Sequence, residues 1–301
     1  MRVDKKFLTI DEQIELLKAR GLNVTDICEA RKALENLNYY RLSGYSLTLR
    51  KDDKFYENID FQDLMQIYNF DNELKTMLFN VLTEIEINLK THIAYILGQQ
   101  TGSMGYMLPT NYANQSHYRQ FVTGFEKALK DNKHEAFVKH HNEEYNGEYP
   151  IWVAVEVLSF GNTSKLFSAL NYSIKETIGE EYYNGISPKY LETWFHSMAV
   201  LRNICAHGVR LFNRGLPTAV AFTRKELDEL KAYGYNPNSI GKRLFFAIII
   251  IHRILYDKTL RDELIKQIKM LMQKYPFVKI EHYGFKDNWE EILIALNAKY
   301  S

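Results

Sequence analysis

The amino-acid sequence predicts an all-α protein. Six prolines and fifteen glycines are few for a chain of 301 residues, which favours long helices over a turn-rich β-sandwich. Residues 63–97 contain neither glycine nor proline, and their apolar residues recur every three or four positions. A hydrophobic share of 46% with 25% charged residues is ordinary globular composition, so neither disorder nor a coiled coil is expected.

The N-terminal region is predicted to hold two short helices. Thr9 and Glu12 have the spacing of a capping box, and Gly21 ends the helix that follows them. A second helix is predicted to start near Thr25 or Asp26. Because aromatic and small residues interrupt the helical period after residue 37, we expect a loop or short hairpin over 38–60.

The longest regular pattern, residues 63–97, predicts one long helix or two helices in line. Leu244–Ile251 is the most apolar run, but it is far shorter than the roughly 20 residues that cross a bilayer, so we expect a buried helix. Other helices are predicted at 117–141, 151–158, 164–170, 189–214, 225–232, 240–257, 259–274 and 287–299. The expected organisation is an N-terminal helical region (1–58), a helical core (59–215) and a C-terminal helical extension (216–301).

Composition also bounds the compartment and the chemistry. Cys28 and Cys205 are too few for a disulfide framework or a four-thiolate zinc site, which fits the reducing cytoplasm. Acidic residues stand where a signal peptide needs its apolar segment. The sequence has no phosphate-binding loop, dinucleotide fingerprint, HExxH or CxxC motif, so no cofactor or metal is expected. The net charge of +1 indicates neither a nucleic acid nor a membrane by itself.

The most basic segment of the chain is residues 193–225, which contains no Asp or Glu. On an ideal helix five polar residues of this segment fall within a stripe of about 60°. They are His196, Asn203, His207, Arg210 and Arg214. Apolar residues lie on the opposite side, so one face is expected to pack and the other could hold phosphate. A solvated basic face is the alternative that this pattern leaves open.

Arg202 and His207 are five residues apart, which separates them by about 140° around an ideal helix. They converge on one ligand only if the helix bends near Gly208 or a second copy of the helix completes the site. Chance produces an arginine and a histidine at such spacing often enough that the pattern alone indicates no function.

The surrounding residues resemble a known family. Leu201-Arg-Asn-Ile-Cys-Ala-His207 is similar to the Arg-x4-His motif of HEPN ribonucleases, in the form carried by the Abi-like (AbiD/AbiF) abortive-infection proteins. Three other segments resemble the same family in the same order. They are Asn38-Tyr-Tyr-Arg-Leu-Ser-Gly-Tyr45, Phe70-Asp71 with Glu84-Ile-Glu86, and Pro150-Ile-Trp152 leading to Glu156 and Gly161. The resemblance spans roughly residues 7–215.

The resemblance implies a HEPN-type bundle of about four helices and a metal-independent endoribonuclease in phage defence or a toxin–antitoxin system. In such a reaction the 2′-hydroxyl of the RNA attacks the neighbouring phosphate, so the enzyme needs a proton carrier and a cation. His207 is expected to carry the proton and Arg202 to bind the phosphate. Asn203 either orients the His207 ring or is a surface amide.

Further residues are expected around this pair. Arg210, Arg214 and His196 suit phosphate contacts, although a structural role for the two arginines is equally consistent with the sequence. Arg41 and Tyr40 could bind RNA, but packing of this aromatic segment on the core is the favoured interpretation. Glu156 lies in an apolar helix, so we expect a buried acid in a structural ion pair with an arginine.

The expected partners are RNA, a second copy of the chain in a homodimer, and an antitoxin; no membrane is expected. Two alternatives remain open. One is an RNA-binding or regulatory module of the same fold without cleavage. The other is a helical protein-binding scaffold whose arginines are solvated.

Overall fold

The computed structural model describes residues 6–300; residues 1–5 and 301, which belong to the predicted terminal regions, lie outside the described part. This part contains fourteen α-helices and one two-stranded hairpin, which confirms the predicted all-α class. The helices are α1 (Ile10–Ala19), α2 (Ile27–Asn36), α3 (Tyr39–Tyr45), α4 (Phe61–Thr101), α5 (Gln115–Asp131), α6 (Ala136–Glu144), α7 (Ile151–Ala154), α8 (Phe160–Ala169), α9 (Tyr172–Tyr182), α10 (Pro188–Ala206), α11 (Arg224–Ala232), α12 (Leu244–Ile254), α13 (Lys258–Lys274) and α14 (Trp289–Asn297). The hairpin strands are β1 (Arg50–Lys51) and β2 (Lys54–Phe55).

The first two helices agree with their sequence signals. Thr9 and Glu12 form the predicted capping box of α1, and Asp26 caps α2 by accepting from the Glu29 amide. The prediction of a loop over residues 38–45 is wrong, because α3 forms there. The Asn38 side chain accepts from the Tyr40 amide at 2.7 Å and so starts this short helix. The predicted hairpin is present in β1 and β2.

Helix α4 is a single, uninterrupted helix of 41 residues around which the rest of the chain packs. An Asp60–Asp63 capping box begins it and Gly102 ends it. Helix α10 runs antiparallel to α4, because Tyr183, Arg202 and Leu211, in this order along the chain, contact His92, Glu86 and Asp71 of α4. Helices α7, α8, α9 and α13 cover other parts of the α4 surface, which makes α4 the axis of a helical bundle.

The segment between α4 and α10 departs from the predicted pattern in two places. The weak helix predicted at 117–141 is divided into α5 and α6. Helix α9 was not predicted, because its apolar period is short and Gly179 lies inside it. That glycine permits close packing: a Cβ at position 179 would lie only 2.6 Å from the Ile186 carbonyl oxygen.

The C-terminal helices pack onto the same core. Helix α12 is buried as predicted, with the apolar residues from Leu244 to Ile251 at most 2% exposed. The Trp194 indole of α10 donates to the Ala221 carbonyl at 2.8 Å, and the buried Arg253 of α12 lies 2.9 Å from Glu226. The division of the chain at residues 58 and 215 stays a prediction. Across residues 6–300, no helix combines the length and the apolar character that a bilayer crossing requires.

Candidate active site

The candidate site lies where α10 ends, at the residues of the Arg-x4-His motif. The Gly208 amide donates to the Cys205 carbonyl and the Val209 amide donates to the Ile204 carbonyl. With Gly208 in the left-handed conformation (φ +60°), these two bonds form a Schellman motif. His207 is therefore the C-cap residue of α10, and its side chain is exposed at the helix end.

The predicted helix over 189–214 is therefore too long, and its polar stripe is only partly correct. His196 and Asn203 are exposed on α10 as expected. Arg210 and Arg214 follow the helix end and do not extend the stripe. The Arg210 guanidinium instead donates to the Gly44 carbonyl of α3 at 2.6 Å, which favours the structural role that the sequence left open.

The segment after His207 is held by the carboxylate of Asp71, which is completely buried in α4. The amides of Leu211 and Phe212 donate to it at 3.2 and 2.8 Å. The hydroxyls of Tyr45 and Tyr283 donate at 2.8 and 2.9 Å. Burial, together with the Asp71 charge, raises the pKa of both phenols, so they remain protonated donors.

Arg202 faces α4, on the side of α10 away from the exposed stripe. Its Nη2 lies 2.8 Å from the carboxylate of Glu86, a residue that is 6% exposed. The same carboxylate is 3.5 Å from the ammonium of Lys90. The Arg202 guanidinium also lies 5.9 Å from the centre of the Phe79 ring. These contacts hold the guanidinium in one orientation at a partly exposed position.

Asn203 contacts Arg202 and not His207. Its side-chain oxygen accepts from Arg202 Nη1 at 3.3 Å. Within residues 6–300 the His207 side chain has no hydrogen-bond partner. Of the two roles that the sequence leaves open for Asn203, orientation of the imidazole has no contact behind it in this structure and stays a prediction. The exposed ring is open to a substrate or to another chain.

Arg41 and Tyr40 lie at the same end of the molecule but differ in their contacts. Arg41 Nη1 donates to the Gly208 carbonyl at 2.9 Å, which ties α3 to the end of α10. Tyr40 is 84% exposed and does not pack on the core. Tyr45 is buried and Tyr39 packs partly buried against the core, so the packing interpretation is correct for these two tyrosines and wrong for Tyr40.

The prediction that Glu156 is a buried acid is wrong. Its side chain is exposed beside Trp152 and has no ion pair within the described part of the chain. In α4 the buried acids that bind cations are Asp71, 3.2 Å from Lys75, and Glu86. Both interrupt the apolar face of α4, and a charged residue at a core position needs a partner. That signal was available in the sequence.

The cysteine between the two motif residues is structural. Cys205 is buried on α10, and burial raises the pKa of its thiol to about 12. Cys28, on α2, is exposed.

Comparison with known proteins gives one match. No curated protein and no solved structure matches the chain. A family model described as "Abi-like protein" matches residues 32–213. The matched range contains α3, α4 and α10. It therefore includes the contact of Glu86 with Arg202 and the contact of Asp71 with the Phe212 amide after the end of α10. Because the match covers more than half of the chain, the protein belongs to the Abi-like family.

Proposed function

We propose that this protein is a metal-independent endoribonuclease that acts in the cytoplasm as part of an abortive-infection or toxin–antitoxin response. Membership of the Abi-like family supports the abortive-infection role. The observation that carries the proposed chemistry is the exposed His207 ring at the end of α10, on the same helix as an Arg202 guanidinium that Glu86 orients.

The proposed reaction uses the 2′-hydroxyl of the RNA as nucleophile. His207 transfers a proton between the attacking hydroxyl and the leaving 5′-oxygen. Arg202 stabilises the negative charge that develops on the phosphate. A guanidinium has five N–H donors, and Glu86 and Asn203 each accept from one of them, so donors remain for a phosphate oxygen. The expected products carry a 2′,3′-cyclic phosphate and a 5′-hydroxyl.

We further propose that the active form is a homodimer. Arg202 faces α4 while His207 lies beyond the end of α10, so a second chain could supply the missing partner to each. Helix α4 exposes apolar side chains beside Arg202 and farther along its length, which suits a protein interface. These side chains are Phe79, Ile87 and Tyr95, with Trp152 of α7 lining a cavity next to Tyr95.

A protein antitoxin or an RNA that covers the same surface is the expected regulator, because an unrestrained ribonuclease would damage its own cell.

The second candidate function is RNA binding without cleavage. The observation that favours it is the Arg202–Glu86 ion pair, which already neutralises the cation that catalysis would need.

The test is cleavage of RNA by the purified chain in EDTA. His207→Ala should reduce the rate by at least about 100-fold, as expected for a general acid–base group, and should retain RNA affinity. His134→Ala, which removes an exposed histidine between α5 and α6, should cleave normally. Cleavage that requires a divalent cation, or an undiminished rate in folded His207→Ala, would contradict the proposal. Binding without any cleavage would favour the second candidate.

Mixing two inactive variants tests whether Arg202 of one chain and His207 of a second chain form one active site. In a dimer that combines an Arg202→Ala chain with a His207→Ala chain, one of two composite sites keeps both residues, so mixing should restore part of the activity. The controls are each variant alone and light scattering of the mixture. A monomer that cleaves RNA would contradict the dimer and leave the catalytic assignment intact.

A further inference from the structure

An open cavity of about 630 Å³ lies between α5 and α8 and reaches α10 at His196. Its volume is within the range of roughly 300–1,000 Å³ that is typical of small-molecule sites. Neither the Arg-x4-His motif nor the Asp71 contacts contribute to its lining. None of the interactions described above assigns it a role.

The lining of this cavity is basic. It contains the side chains of His117, Arg119, Lys165 and His196, and no carboxylate. Arg119 and Lys165 are two cations without an acid beside them, which is a local excess in a chain whose formal charge is +1 with histidine counted as neutral. The His117 Nδ1 atom is shielded from solvent and has no hydrogen-bond partner within the described residues. These features indicate an anionic ligand.

The inner wall of the cavity is apolar and includes two aromatic rings. Phe121 and Phe125 of α5 stack there with their ring centres 5.9 Å apart and their planes at 12°. Leu158 and Ala169 complete this wall. An apolar wall with two aromatic rings under a basic rim matches a ligand that joins a planar ring to a phosphate.

Gly124 lies in the middle of α5 on the cavity wall. A glycine inside a helix destabilises it relative to alanine, so its presence normally has a packing reason. Here a Cβ at position 124 would find no atom within 4 Å. Packing within this chain therefore does not require the glycine, and the space beside position 124 is open to a ligand.

We propose that this cavity binds one nucleotide, with its phosphate at the basic rim and its base against Phe121. The inference rests in part on the proposed function, because His196 lies eleven residues before His207, or about 16 Å along α10. A strand that enters the proposed active site and follows the exposed face of α10 would bring a neighbouring nucleotide to the cavity. A nucleotide is the ligand whether it belongs to an RNA strand or is free in solution.

Filling the cavity is the most direct test. In a His207→Ala background, which prevents cleavage, Gly124→Leu should weaken binding of a fluorescein-labelled oligoribonucleotide of about ten nucleotides by at least tenfold. Gly124→Ala is the matched control and should change the affinity less than twofold, because a methyl group leaves most of the cavity open. Thermal melting of both variants checks that the fold is retained, which is expected because a Cβ at position 124 meets no atom within 4 Å.

Charge reversal provides a second measurement with its own control. Arg119→Glu with Lys165→Glu should weaken binding at least tenfold more than Lys127→Glu with Lys130→Glu, two exposed lysines of α5 that do not line the cavity. Equal losses in the two double variants, or oligonucleotide binding that is unaffected by Gly124→Leu, would overturn the proposal.

Mononucleotides distinguish the two sources of the ligand. Binding of free AMP, GMP, CMP or UMP that Gly124→Leu abolishes would assign the cavity to a free nucleotide. Oligonucleotide binding that is sensitive to Gly124→Leu, without competition by mononucleotides, would assign it to the RNA strand. Either result supports a nucleotide site even if the wild-type chain cleaves nothing, so this proposal and the proposed nuclease activity fail separately.

Discussion

The Asp71 carboxylate accepts hydrogen bonds from four donor groups and lies next to the buried Lys75 ammonium. A buried carboxylate is stable only when such partners replace its lost hydration. Because two of the donors are the amides of Leu211 and Phe212, this one side chain fixes the backbone that leaves His207. We expect it to act as a positioning residue for the candidate site.

Asp71→Asn should destabilise the protein by about 3–5 kcal/mol, because it leaves the Lys75 charge buried without a partner. Urea unfolding measures this loss. Asp228→Asn is the control, because Asp228 pairs with Lys231 at the surface and its loss should barely change the urea midpoint. Equal midpoints for the two variants would show that the Asp71 contacts contribute little.

His92 gives a prediction of pH dependence. It is buried against Tyr182, with ring centres 3.8 Å apart, and burial lowers its pKa to about 4. In the unfolded chain a histidine titrates near about 6.5. At pH values between these two pKa values, His92 is protonated in the unfolded chain and neutral in the folded protein. The contribution of His92 to stability is therefore complete above about pH 6.5 and is lost as the pH falls towards 4, by about 3 kcal/mol in all.

The measurement is the free energy of unfolding in urea at several pH values from 7 to 4. His92→Phe keeps an aromatic ring against Tyr182 and should remove this part of the pH dependence. His134→Phe, at an exposed position, should keep the wild-type dependence. Parallel curves for the two variants would contradict the assignment to His92.

At the residue scale, the resemblance to the Abi-like family makes Arg202 and His207 candidate site residues, which stays a prediction, and the sequence does not give their partners. The Arg202–Glu86 pair depends on how α10 lies along α4, and the residues are far apart in the chain. Asn203 illustrates the same limit, since its neighbour in helical spacing is His207 while its observed contact is Arg202. Helical spacing indicates which side chains share a face, whereas the packing of two helices decides which side chains meet.

At the element scale, the end of α10 decides where the His207 ring lies. Gly208 occupies the left-handed region, which costs a residue with a Cβ about 1–2 kcal/mol. Gly208→Ala should lose about this much stability and should also reduce RNA cleavage, because a relaxed helix end moves His207. Gly185→Ala is the matched control, since Gly185 has a similar φ of +71° in the turn after α9.

Urea unfolding and cleavage rates of the two variants provide the comparison. Similar losses of stability with a loss of cleavage confined to Gly208→Ala would support the role of the Schellman motif. Equal cleavage by both variants would show that the exact helix end is unimportant for His207.

Helix boundaries were predictable where a side chain makes the cap and less so where the backbone does. The α1 start at Thr9 and the α11 start at Thr223 both use capping boxes, which are visible in the sequence. The end of α10 is made by the left-handed backbone of Gly208. The apolar and basic residues after Gly208 keep the helical period as far as Arg214, so the sequence pattern predicts a longer helix than the one that forms. Helix α3 was missed because seven residues carry too little periodicity.

At the scale of the whole molecule, the family match ends at residue 213 but the contacts of the candidate site do not. Tyr283, after α13, donates to Asp71, and the Trp194 ring of α10 lies 5.2 Å from the buried Arg253 of α12. We therefore expect a chain that ends at residue 215 to aggregate or to show no cooperative unfolding. The full chain should unfold in one transition. Circular dichroism during thermal melting distinguishes the two results.

A cooperative transition and retained cleavage in the shorter chain would show that the C-terminal helices are an independent addition.

The all-α class and most helices follow from periodicity and from the scarcity of glycine and proline. Periodicity and composition do not predict that the C-terminal helices pack on the region that the family model matches. This packing depends on single polar contacts between residues far apart in the sequence, such as Tyr283 and Asp71.

The burial of Cys205 has a practical consequence. Thiol reagents attack the thiolate, so a thiol with a pKa of about 12 is inert in the folded protein, whereas the exposed Cys28 is accessible. With only these two cysteines in the chain, alkylation of the native protein marks α2, and any slower modification of α10 records the moments when α10 separates from α4. The rate of Cys205 alkylation, measured by mass spectrometry, therefore reports how often α10 opens at the candidate site, without any introduced label.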